Sequence, residues 1–205
     1  MAAQPHTAPS CLSFGTLNVN GLGVRKRHAL FGGLADVRRR VDVMFLQETH
    51  HPSQQAADAW VQEGAGPGLP FRGLSAWAAG SGRSCGAAVL VGRHLHAEAF
   101  ERVHVCPEGR IAGAVLTLPG DNTYLLYSVY APCVGVERAA FFAGPLRAAL
   151  GDGVRRHPGA RLVLGGDFNC VESVLLDAGT LTSTPPPLAG GGGVGPSGEA
   201  GDVPP

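Results

Sequence analysis

Three apolar segments of this 205-residue chain each run directly into a short cluster of Asn, Gln, Glu or Asp, and that recurrence restricts the folds open to it. The segments are Leu17-Asn18-Val19-Asn20-Gly21, Phe45-Leu46-Gln47-Glu48-Thr49-His50 and Leu164-Gly165-Gly166-Asp167-Phe168-Asn169. A strand that is apolar along its length and releases polar side chains at its carboxyl end belongs in an α/β sheet, where ligands gather beyond the strand ends. The first part of the chain fits this reading. Residues 12–19 read as a strand running into a turn. From Lys26 to Arg38 the apolar residues Leu30, Phe31, Leu34 and Val37 recur at helical spacing, with arginines on the other face. The run Val41 to Leu46 then reads as a buried strand, completing a strand–helix–strand unit.

A short helix is expected over Gln54 to Gln62, followed by a Gly/Pro-rich loop from Gly64 to Gly73. Strand-like runs follow with no helices between them: Cys85 to Val91, Ala97 to Val105, Ile111 to Leu118 and Tyr124 to Tyr130. Pro-Gly-Asp-Asn at 119–122 is a hairpin turn, so these strands are expected to be antiparallel. Glu137 to Arg156 carries Phe141, Phe142, Leu146 and Leu150 at helical spacing, with an interruption expected at Gly144-Pro145, and Arg161 to Gly165 returns as a strand. The domain reading is a flexible leader over 1–11, one α/β domain over 12–180 and a disordered tail over 181–205. From Pro185 onward a Gly/Pro run has almost nothing to bury.

Sixteen Lys plus Arg balance sixteen Asp plus Glu, so no overall basic field advertises a nucleic-acid partner. Any such binding falls to local clusters: Arg25, Lys26 and Arg27; Arg38 to Arg40; Arg155 and Arg156. Lys26 is the single lysine. Five cysteines, an odd and widely spaced set without a Cys-x-x-Cys pair, read as reduced thiols of an intracellular protein. No stretch approaches the ~18 uninterrupted apolar residues of a membrane span, and no apolar signal core follows Met1. No membrane partner is expected.

Carboxylate and carboxamide oxygens without thiolates or clustered imidazoles suit a hard cation, Mg²⁺ with Mn²⁺ as a substitute. Glu48 is the best single ligand in this set. Asp167 has the chemistry to orient or deprotonate a water, and the Asn169 amide to donate to phosphate oxygens as charge develops. Taken one at a time, such residues at strand ends more often make turns or helix caps, and Gly165-Gly166-Asp167 is by itself a common turn composition.

Taken together and in order, Asn18-Val19-Asn20-Gly21-Leu22, Gln47-Glu48-Thr49-His50, Tyr130-Ala131-Pro132 and Gly165-Gly166-Asp167-Phe168-Asn169 resemble the blocks of the endonuclease/exonuclease/phosphatase superfamily. The Asn-Gly-Leu and Gln-Glu-Thr-His forms, with Lys26-Arg27-His28 and Cys85-Gly86-Ala87-Ala88-Val89, look most like the apurinic-type endonucleases of LINE-class retrotransposons, from about Leu12 to about Asp177. The resemblance implies a four-layer α/β sandwich of the DNase I-like kind and Mg²⁺-dependent nicking of DNA. It implies metal binding by Glu48 and Asn20, with Asn18 beside them. Tyr130 matches the position that contacts the scissile phosphate, Asp167 the one that positions the water, and Asn169 the one that steadies the phosphate.

Two departures stand out. Cys133 occupies a position where many relatives carry asparagine, a stronger donor. The family's closing Ser-Asp-His block has no counterpart, since all eight histidines precede residue 158. The fold is therefore expected to be incomplete at its C-terminus, with poor or no cleavage by this chain and a tendency to remain monomeric or aggregate. The remaining expectations are a reverse transcriptase as fused or associated partner, and a nuclear location. Alternatives are a non-catalytic nucleic-acid-binding remnant and a phosphatase of the same superfamily.

Overall fold

The computed structural model describes residues 11–34, 41–63, 74–80, 85–104 and 106–170. These fall within one compact unit. The expectations for the leader, for residues 35–40, for the 64–73 loop and for everything beyond Cys170, including the tail and the 180 boundary, lie outside the described residues.

Among the described residues eight strands form two four-stranded sheets. The first has the order β1-β2-β4-β3, from β1 (Phe14–Asn18), β2 (Val43–Gln47), β3 (Ser75–Ala78) and β4 (Ala87–Val91). The second has the order β5-β6-β7-β8, from β5 (Ala99–His104), β6 (Ile111–Leu118), β7 (Asn122–Tyr130) and β8 (Arg161–Asp167). Each sheet holds one parallel pair. β1 lies parallel to β2 across the crossover helix α1 (Val24–Leu34), and β7 parallel to β8 across α3 (Gly135–Phe141) and α4 (Arg147–Arg156). The run β5-β6-β7 is antiparallel, as the lack of intervening helices predicts.

Alternation along the strands builds the layers. Val43 and Phe45 of β2, with Val89 and Val91 of β4, face Ala114, Leu116, Leu118 and Leu126 of the second sheet to make the central core. Their neighbours Met44, Leu46, Ala88 and Leu90 face outward onto Phe31 of α1 and Ala57 of α2 (Gln54–Glu63). On the far side Leu125, Tyr127 and Val129 pack against Phe141, Leu146 and Ala149. The result is helix, sheet, sheet, helix, the four layers expected. β2 is buried on both faces, which is why its sequence is continuously apolar rather than alternating.

Three details refine the sequence reading. The strand β3 has no counterpart in that reading, because Ser75-Ala76-Trp77-Ala78 is short and carries no β-branched residue. The interruption expected at Gly144-Pro145 is present as a change of helix type and not as a break in the chain's helical course. A single π-helical turn, Phe142–Leu146, absorbs the proline, so α3 runs through it into α4. The strand expected over Arg161 to Gly165 runs on through Gly166 to Asp167, so both glycines lie inside β8. A Cβ on Gly165 would stand 2.2 Å from the Phe45 ring, and one on Gly166 would stand 2.1 Å from the Val129 carbonyl oxygen. Both glycines are there because the two sheets and the β7–β8 pair close tightly beside the site.

Gly165→Ala must therefore displace a core ring. It is expected to lower unfolding stability by about 2 kcal/mol or more in urea titration, whereas Gly144→Ala, with nothing within 4 Å of the added methyl, stays neutral or slightly stabilising.

Candidate functional site

The two parallel pairs point the same way at one rim. Register sets Asn18 beside Gln47 at the ends of β1 and β2, and Tyr130 beside Asp167 at the ends of β7 and β8. A buried polar bridge joins the sheets just behind this rim. The Gln47 Nε2 donates to Ser128 Oγ at 3.1 Å, Ser128 Oγ donates to the Leu46 carbonyl at 2.8 Å, and Thr16 Oγ1 donates to Gln47 Oε1 at 3.2 Å. Gln47 and Ser128 are essentially fully buried, so each finds its partner in the other.

Asn18 is the hub of the rim. Its Nδ2 donates to Glu48 Oε1 at 2.8 Å and to Asp167 Oδ2 at 2.9 Å, joining a carboxylate of the first sheet to one of the second. Its Oδ1 accepts the Asn20 N–H at 3.1 Å, which fixes the orientation of the amide. Asp167 is held from its other oxygen by the Asn169 N–H at 3.0 Å, while Asn169 Nδ2 donates to the Ala131 carbonyl at 2.6 Å. Tyr130 is largely buried. Burial, and after it the hydrogen bond and charge of Glu48 with a further contribution from Cys133, push its phenol well above the usual range, so it is a neutral donor. The Arg110 guanidinium lies 5.4 Å from the centre of its ring.

The turns that deliver these groups use left-handed backbone. Asn20, Glu48, His50 and Asn169 have φ of 44°, 53°, 53° and 48°. Asparagine tolerates this region; glutamate and histidine adopt it at a cost of roughly 1–2 kcal/mol each. Main-chain bonds impose it: Gly21 N–H to the Glu48 carbonyl at 2.6 Å, Leu22 N–H to Thr49 at 3.1 Å, Thr49 N–H to Gly86 at 3.0 Å and His50 N–H to Cys85 at 3.1 Å.

Of the residues singled out in the sequence, Asn18, Glu48, Tyr130, Asp167 and Asn169 come together. Cys133 is exposed at the edge of the group, near the Tyr130 hydroxyl. Asn20 stands apart: its side chain makes no hydrogen bond to the others and lines an adjoining cavity of about 680 Å³ with Arg25, Lys26, Arg27, His50 and Trp60. Arg25 is exposed. Arg27, expected to face nucleic acid, is buried; it donates to the Leu22 carbonyl at 2.8 Å and lies 4.5 Å from the Trp60 ring centre. The ammonium of Lys26 lies on main-chain carbonyls, 3.2 Å from Val19 O and 2.5 Å from Asn20 O.

Two carboxylates meet here on one amide group, and among the described residues no lysine or arginine forms an ion pair with either; His50 lies 3.7 Å from Glu48. Such a site is short of positive charge and fits a hard divalent cation. Among the described residues no group of three or more His, Cys, Asp or Glu could hold a metal. Glu48 is the carboxylate that could hold such a cation, most of whose positions would fall to water and phosphate.

Two mixed sheets between helices, with carboxylates gathered at the carboxyl ends of parallel strands, define an α/β protein of the DNase I-like class. The chain belongs to the Endonuclease/Exonuclease/phosphatase family, whose pattern it matches over residues 15–192. A Xenopus laevis protein described as the transposon TX1 uncharacterized 149 kDa protein is 35% identical over 159 residues, covering 77% of this chain and 11% of that protein. A D. rerio TDP2 crystal structure complexed with single strand DNA product overlays with a TM-score of 0.55 at 20% identity, over 83% of this chain and 66% of that one. An AP endonuclease from Archaeoglobus fulgidus gives 0.50 at 16% identity, over 78% and 58%.

A residue not singled out in the sequence supports the rim from below. His51 is buried, its Nδ1 lies 2.6 Å from Thr49 Oγ1, and its ring meets Trp77 edge-on at 5.0 Å and Trp60 at 6.1 Å. Its place directly after the Glu48 block was the only available signal. Burial lowers its pKa from 6.5 to about 4. A histidine depressed in the folded state adds stability that is complete above pH 6.5 and lost as pH falls toward 4. Unfolding stability is expected to drop by about 3 kcal/mol between pH 7 and pH 4. The fluorescence of the two tryptophans follows the change, and His51→Asn flattens that profile.

Proposed function

We propose that this chain carries a DNA endonuclease site of retrotransposon origin, hydrolysing phosphodiester bonds with Mg²⁺, or Mn²⁺ in its place. The observation that carries the reading is the Asn18 amide shared between Glu48 and Asp167, which brings two carboxylates from different sheets to one point. Members of the family are hydrolases of phosphodiester bonds, and the Xenopus laevis relative 35% identical to this chain is a transposon protein. Those two facts favour DNA over a small phosphorylated metabolite.

In this reading Glu48 would hold the cation, while the Asn20 side chain lines the adjoining cavity. When bound, the cation supplies Lewis-acid polarisation of a phosphate oxygen. Asp167, kept in place by the Asn169 N–H and the Asn18 amide, orients the attacking water and accepts its proton. The remaining Asn169 amide hydrogen and the neutral Tyr130 hydroxyl donate to the phosphate oxygens, where negative charge grows in the transition state. Cys133, a weak donor, leaves that side of the phosphate with less support. Exposed Arg25 meets a flanking phosphate. DNA is then the partner, work on chromosomal DNA places it in the nucleus, and a reverse transcriptase is the natural companion activity of a transposon protein.

Supercoiled plasmid incubated with the folded chain and Mg²⁺ is expected to be nicked only slowly, in keeping with the poor cleavage expected from the sequence, with Glu48→Ala and Asp167→Ala each reducing that rate by about 10²-fold or more. A folded chain that neither nicks DNA nor shows Mg²⁺-dependent NMR shifts at Glu48 and Asp167 overturns the reading.

A further inference from the structure

We propose that Lys26 is a positioning residue for the rim, one whose ammonium holds the Asn20 turn rather than a nucleic-acid phosphate. The inference rests on the reading above for its catalytic consequence, although the structural part stands without it. Lys26 lies in the first turn of α1, and its side chain reaches back to the carbonyl oxygens of Val19 and Asn20. Those two carbonyls belong to the peptides on either side of the left-handed Asn20, at φ 44°. Left to itself a turn of that kind presents its carbonyls to water and relaxes; a charged donor bonded to both favours the conformation.

The connection from Lys26 to the carboxylates is short. The Asn20 N–H donates to Asn18 Oδ1, and that bond decides which way the Asn18 amide faces. With Oδ1 turned to Asn20, Nδ2 faces Glu48 and Asp167. Loss of the Asn20 bond frees the amide to rotate, placing an oxygen against two carboxylates in place of a donor. On the other side of the turn the Gly21 and Leu22 N–H groups bond to the carbonyls of Glu48 and Thr49, so the same turn also fixes the strained Glu48 backbone. Lys26 therefore acts on both carboxylates without touching either.

The sequence supplies an independent observation. Every other member of the sixteen basic residues is arginine, including both neighbours of this one. A planar guanidinium spreads its donors over a fork suited to a carboxylate or phosphate, whereas an ammonium directs three donors from one small centre. Two carbonyl oxygens converging within a single turn call for the ammonium, and that is where the chain's single lysine is found.

Amide hydrogen exchange read by NMR on the full chain tests this without relying on activity. In Lys26→Met the Gly21 and Leu22 amides are expected to exchange about tenfold to a hundredfold faster than in the unaltered chain, and the Asn18 side-chain NH₂ signals shift. Arg25→Met changes neither. Lys26→Arg keeps the charge and serves if Lys26→Met does not fold; its planar fork is matched to a carboxylate or phosphate and not to two carbonyls converging within one turn, so its exchange is also expected to be faster. Salt titration of duplex DNA affinity gives the second arm, because a phosphate contact would reduce the slope of log K against log[salt] by about one on Lys26→Met. The expected slope is unchanged, with nicking reduced in kcat and not in KM. Exchange equal to the unaltered chain in Lys26→Met or Lys26→Arg, or a slope reduced by one, overturns the proposal. Faster exchange in a chain that never nicks DNA sinks the endonuclease reading and leaves the positioning role standing.

Discussion

The buried contact between Gln47 and Ser128 is the constraint on which the rim depends. Two sheets packed through aliphatic side chains slide past one another at little cost, since dispersion contacts are non-directional. A carboxamide and a hydroxyl, both cut off from water, have one arrangement that satisfies them, and a shift of one residue leaves polar atoms unpaired at about 1–3 kcal/mol each. The bridge therefore fixes how far the end of β2 stands from the end of β7. Glycine at 165 and 166 lets β8 close on Phe45 and on Val129. With those distances set, one asparagine side chain is long enough to touch a carboxylate of each sheet.

Rigidity behind the rim contrasts with strain at it. Four residues at or next to the site sit in left-handed backbone, two of them types that avoid it, while of the strands feeding them β2 is buried along its whole length and β1 and β8 are partly exposed. Strain of this kind persists only where surroundings over-determine it. Here the neighbouring turns do so through four main-chain hydrogen bonds. The same turns aim Glu48 toward Asp167 instead of along the strand into solvent.

Much of this was legible in the residues. Apolar runs ending in Asn18, Glu48 and Asp167 revealed the strands and their polar ends, because burial and release to solvent leave opposite compositions. The antiparallel block followed from strands without helices between them. What stayed hidden involved packing rather than pattern. Nothing local distinguishes Arg27, which lies over Trp60, from Arg25, which faces solvent; the difference depends on which side of α1 meets α2. Why residue 165 has to be glycine is invisible until Phe45 is seen against it. Asn18 looked like a supporting residue because no rule of spacing says that one amide will reach carboxylates 30 and 149 positions away.

That last separation bears on how the molecule comes into being. Contacts between distant parts of a chain must meet the entropy of closing the loop between them before they return anything, so they form late. On the ribosome, β1, β2 and α1 are complete while most of the chain is still to be made. The bond from Asn18 to Asp167 waits for β8, at the far end of the described unit. A nascent or half-folded chain thus carries Glu48 without its counterpart, and the paired carboxylates arise only when the second sheet has been laid down and docked.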